Sequence, residues 1–131
     1  MIFQINTAGE RNPDALNRGE LIDRLMGNAV LAQRMVSQFI DSVPGEIDLL
    51  ESTIRMGNQK EIATLAHRHQ GTAKTLAAPR VAEAASEIEC LAGKGSISDL
   101  LSALDELRLA HGQLRQELED WATDAIDGAS E

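Results

Sequence analysis

The chain has 131 residues with 43% hydrophobic content, enough for one domain with one core, and sets 12 Lys and Arg against 21 Asp and Glu for a formal charge of −9. That charge disfavours nucleic acid and favours a protein partner, while no apolar run approaches membrane-spanning length. The lone Cys90 excludes an internal disulfide, and with no signal-like opening segment the expected location is a reducing cytoplasm.

Two Phe, one Trp and no Tyr stand among many Leu, Ala and Ile, so the expected class is all-α. Residues 1–18 lack periodicity and are expected to form a partly mobile arm, ahead of a helical domain over 19–122 and a loose tail over 123–131. Met1 and the short tail fit a free-standing protein. A short helix is predicted from about Gly19 to Met26. A second follows the "GN" pair, with Leu31, Met35 and Phe39 in one i, i+4 row and Val36 and Ile40 in the next. Pro44 is read as the break before a third helix, which buries Ile47, Leu50 and Ile54 and stops at Gly57. Asn58 and Glu61 make a capping-box pattern for a fourth helix that ends near Ala77. Pro79 suits the first turn of a fifth, reaching about Ala92, and Ser96 with Asp99 opens the last. In that last helix Leu100, Leu104, Leu107, His111, Leu114, Leu118 and Trp121 alternate four and three apart, the spacing of a bundle seam. The expected architecture is an antiparallel four-helix bundle of the last four helices, capped by the two N-terminal ones, which would cover Leu114, Leu118 and Trp121.

The fourth helix carries the unusual chemistry, in the stretch "LAHRHQGTAKTL". Ile62, Leu65, Ala66, His69, Ala73 and Leu76 share a stripe roughly 80° wide, so His69 faces the core. His67 lies roughly 140° from the stripe centre and Gly71 roughly 180°, so both are expected at the surface. A glycine inside a helix costs about 1 kcal/mol relative to alanine. One turn from an exposed histidine, it removes the side chain that would crowd the imidazole. Lys60, Gln70 and Lys74 flank His67 and make a strip suited to a phosphate or another anion, inside an acidic protein. If the fourth and fifth helices form a hairpin turning about Ala78, His67 is level with Glu89, whose carboxylate can orient the ring and leave Nε2 as the nucleophile. Two histidines two residues apart point in different directions, which removes the simplest two-ligand metal reading. The same height count, carried through the fifth helix, sets His69 level with Ala103, roughly 12 Å from His111, so no two-histidine site is expected.

These residues resemble the core signature of the histidine-containing phosphotransfer (HPt) family of two-component phosphorelays, roughly Ala-His-x-Leu-Lys-Gly, then small residues, a Leu-Gly-Ala-like turn and a Leu-Glu near the end of the next helix. Here they are Ala66, His67, Arg68, His69, Gln70 and Gly71, then Leu76, Ala77 and Ala78, then Ile88 and Glu89, and the similarity extends over about Gly19 to Trp121. The departures are His69 for leucine, Gln70 for lysine, and Lys74 at a position normally small. The resemblance implies a phosphoryl carrier with no kinase activity of its own: His67 is the phosphoacceptor, Glu89 orients it, and Gln70, Gly71, Lys74, Arg68 and Lys60 meet phosphate or partner. It further implies response-regulator receiver domains and a sensor or hybrid histidine kinase as partners, with Mg²⁺ on the receiver. No metal or cofactor is expected on this chain, which is expected to be a monomer binding neither nucleic acid nor membrane. Two other readings stand beside the relay. One is a degenerate module that binds a receiver or kinase without carrying phosphate, and the other is a structural helical bundle used for oligomerisation.

Overall fold

The computed structural model describes the backbone of residues 11–129 and the side chains of 11–124. The described residues form five helices: α1 (Arg18–Arg24), α2 (Ala29–Met56), α3 (Gln59–Thr75), α4 (Pro79–Leu91) and α5 (Ile97–Ala129). The described residues contain no strand. Helix α2 packs on α3, α3 on α4, α4 on α5 and α5 back on α2, while α1 leans on α2. One core results, built mostly from Leu, Ile, Val and Ala.

The two helices expected on either side of Pro44 are one, because Pro44 lies inside α2. Proline inside a helix removes one backbone hydrogen bond and crowds the preceding turn, at a cost of about 3 kcal/mol. Against that cost, Val36, Ile40, Val43, Ile47, Leu50 and Ile54 are all buried and keep a four-three rhythm straight through the proline. Each buried aliphatic side chain contributes about 1.5–3 kcal/mol. A break at Pro44 would turn half the stripe out of phase, so the stripe decides. Of the two N-terminal helices expected as a cap, only α1 is therefore separate.

The helix starts follow local chemistry. Asn17, Asn28 and Asn58 each accept a backbone N–H from the first turn of α1, α2 and α3. Ser96 and Asp99 form a full capping box, with Ser96 Oγ accepting from the Asp99 N–H and Asp99 Oδ2 accepting from the Ser96 N–H. Helix α3 ends with the Ala78 N–H bonded to the Ala73 carbonyl and the Ala77 N–H to that of Lys74, which sets Ala77 at φ 58°. Arg24 of α1 adds two more bonds there, to the carbonyls of Lys74 and Thr75.

Both ends differ from the boundaries expected at 18 and 123. Residues 1–10 lie outside the described residues, but Ala15 and Leu16 are fully buried. The Arg18 guanidinium sits 2.7 Å from Glu117 Oε2, both side chains 2% exposed, and 3.3 Å from Asp124. It also lies 5.4 Å above the Trp121 ring. Arg11 reaches Asp124 at 2.8 Å and holds its carboxyl below the usual carboxylate range. The folded body thus begins by Arg11, and α5 stays helical through Ala129 where a loose tail was expected. Trp121 is buried, beneath Arg18.

Candidate functional site

His67 projects from the middle of α3, its side chain 73% exposed. Ala66 beside it is fully buried and anchors the helix to the core. Helices α3 and α4 are joined by only Leu76, Ala77 and Ala78, so they pack closely along their length. Glu89 near the end of α4 consequently reaches His67: its Oε2 is 3.0 Å and its Oε1 3.3 Å from Nδ1. Only the tautomer with hydrogen on Nδ1 can donate to a carboxylate, and that tautomer leaves the Nε2 lone pair facing solvent. The arrangement can therefore perform nucleophilic attack from Nε2, with Glu89 compensating the positive charge the ring acquires.

Gly71 is one turn further along α3, and a Cβ built on it meets nothing within 4 Å among the described residues. The approach to His67 is open on that side. Lys60, Arg68 and Lys74 are exposed and Gln70 is half-buried. Beside Gly71 an open groove of about 680 Å³ runs between α2 and α3, with Met35, Phe39 and Leu76 as apolar wall and Arg68 and Glu46 as polar edges.

Under this face lies a feature opposite to the sequence expectation. His69 and His111 meet, Nε2 to Nε2, at 2.7 Å, where a separation of several helix residues was predicted. Phe39 packs against both imidazoles, with ring centroids 5.2 and 5.3 Å away. The error came from counting heights through α4. Counted through α2, whose Glu46 bonds His69 and whose Glu51 bonds Arg108, the level of His69 falls close to Gln113, two residues from His111. The two routes disagree because packed helices are inclined to one another, so a level does not close around the bundle.

The pair is tied outward to the groove. His69 Nδ1–H donates to Glu46 Oε1 at 2.7 Å, which leaves its Nε2 to accept from His111 Nε2–H. His111 Nδ1 is buried without a partner among the described residues. Burial first, then the proximity of His69 and Arg115, push the His111 pKa down to about 3. Glu46 escaped the sequence reading because it is an exposed helix residue of ordinary appearance. The signal that could have found it was the pair of histidines on two core stripes: buried imidazoles require partners. Glu117 carried a similar signal, three residues after Leu114 and four before Trp121 on the seam of α5.

Among the described residues no cluster of three or more His, Cys, Asp or Glu is arranged to hold a metal ion, and no helix is long and apolar enough to cross a membrane. Cys90 is exposed. In comparison with known proteins, a family model described as Hpt domain matches residues 34–122. The match starts inside α2 and leaves α1 outside, whereas the resemblance read from the sequence began near Gly19. No curated protein and no solved structure matches the chain.

Proposed function

Because the chain belongs to the Hpt domain family, we propose that it is a phosphorelay intermediate, taking a phosphoryl group on His67 from an aspartyl phosphate and passing it to the aspartate of a response regulator. The observation that carries the reading is the bond between Glu89 and Nδ1 of a largely exposed His67, one turn from a glycine. In the accepting direction Nε2 attacks phosphorus in line. The N–P bond forms as the P–O bond to aspartate breaks, and the aspartate leaves as a carboxylate. Nε2 carries no hydrogen beforehand, so no proton has to leave. The ring becomes a phosphorylated imidazolium whose charge faces Glu89, and the reverse transfer retraces the same path.

Such a transfer needs mainly positioning and charge stabilisation. The Mg²⁺ belongs to the receiver, and a sensor or hybrid histidine kinase supplies the phosphate upstream. Lys60, Gln70 and Lys74 flank the phosphoryl group, and Arg68 with Gly71 meets the docking receiver. For the body, we infer an antiparallel four-helix arrangement of α2 to α5 with α1 as cap, supported by the ring of helix contacts. We further infer a monomer located in the cytoplasm.

The test is phosphotransfer from receiver domains of the source genome, each charged with acetyl phosphate and Mg²⁺. Wild type should acquire acid-labile, base-stable label, and His67→Gln should acquire none while keeping its helical circular dichroism. Binding of receivers without any label would mean a degenerate docking module, and no receiver binding at all would leave a structural bundle.

A further inference from the structure

Glu46 is held in a way that exposed helix carboxylates seldom are. Its side chain is 46% exposed on α2, yet Oε1 is fixed by the buried His69 at 2.7 Å. Its Oε2 lies 2.9 Å from the Ser42 hydroxyl, which shares its one proton with the Phe39 carbonyl at 2.7 Å. A long surface side chain ordinarily loses its rotamer freedom on binding, and that loss subtracts from affinity. Here folding has already ordered the side chain, and each oxygen keeps a lone pair for a further donor. The carboxylate is thus fixed at the edge of the groove that runs to Gly71, with Phe39 and Leu76 as its apolar wall. Arg68 lies on the opposite wall, so the groove is acidic on the α2 side and basic on the α3 side.

We propose that Glu46 is a specificity-determining residue of the docking face, selecting receiver domains that present a lysine or arginine to the α2 side of this groove, and that His69 is the positioning residue holding it there. The inference rests on the relay reading. A preorganised charge at an interface discriminates partners and raises on-rates, because a like charge from the wrong partner meets it at close range with no freedom to turn away. His69 and His111 occupy core positions where two apolar residues would pack without any polar partner. The bond to Glu46 is what the imidazole at position 69 supplies to the surface.

The experiment is phosphotransfer kinetics with the receiver that wild type discharges fastest, and with the whole receiver panel, for Glu46→Gln, Glu46→Lys and His69→Leu. Glu46→Gln keeps the shape and an acceptor for His69 and guards against misfolding. Glu46→Lys should raise KM about tenfold and reorder the panel, with kcat within about twofold. His69→Leu should raise KM about threefold, since it frees the carboxylate without removing it, and it should also lower the melting temperature, because the buried His111 Nε2–H loses its acceptor. The salt dependence of KM should be weaker in Glu46→Gln than in wild type. Unchanged KM and panel order in both Glu46 variants overturn the inference while leaving the relay intact. A fall in melting temperature with KM unmoved also overturns it, since the role would then be structural. A wild type that takes phosphate from no receiver overturns the relay reading, and this inference with it.

Discussion

Lowering the pH from about 7.5 to about 5.0 should cost the protein about 2 kcal/mol through one buried side chain, His111. In the unfolded chain this imidazole titrates near its ordinary value of about 6.5. In the folded protein burial, His69 and Arg115 push it down to about 3. Between those two values only the unfolded chain binds the proton, so the folded state loses stability as pH falls. The loss begins as pH drops through about 6.5 and grows by about 1.4 kcal/mol per pH unit until the folded value is reached. The groups around His111 are His69 from α3, with Glu46 of α2 behind it, and Asp48, Arg108 and Arg115 along the neighbouring cleft. None of them accepts a hydrogen from Nδ1, the atom that would take the proton. Urea denaturation of wild type and His111→Leu at the two pH values isolates this contribution. The variant's own loss reports all other titrating groups, and wild type should lose about 2 kcal/mol more. Equal losses in the two proteins would refute the reasoning, whatever their absolute stabilities.

Removing one partner of the buried ion pair should be severe: Arg18→Met leaves Glu117 charged in the core with no cation beside it and only the Arg11 backbone N–H to accept from, and should cost about 3–5 kcal/mol by chemical denaturation, whereas Arg18→Met with Glu117→Leu should recover most of it. Met26 is 95% exposed and held at φ 57° after α1, so Met26→Gly should add about 0.5–1 kcal/mol, read as a rise in thermal midpoint. Gly71→Ala should stabilise α3 by up to about 1 kcal/mol, since the added Cβ meets nothing, while Gly71→Gln should keep the fold and weaken receiver binding measured by calorimetry.

What could be read in the sequence divides by how many turns of chain separate two residues. His67 and Glu89 lie across one short connection, and counting outward from Ala78 brought them level, as they are. His69 and His111 lie across two connections and a change of helix inclination, and the same count missed by about eight residues, roughly 12 Å. Local signals were dependable where they concerned caps: Asn58, Ser96 with Asp99, Gly57 and Pro79 all mark helix ends. They misled at Pro44, where a backbone preference of about 3 kcal/mol was set against a stripe of buried aliphatic residues that outweighs it. They were silent for Leu16 and Arg18, because a segment too short to show periodicity can still be buried by what it packs against.

The most direct test of the central claim is to find the phosphoryl group itself. Charge the protein with a phosphorylated receiver and record its ³¹P–¹H correlation spectrum. The account predicts one N–P resonance, coupled to the ring protons of His67 in the pattern of Nε2 phosphorylation, with Nδ1 still protonated and facing Glu89. Phosphate on Nδ1, on His69 or on His111, or an unchanged spectrum in His67→Gln, would contradict it.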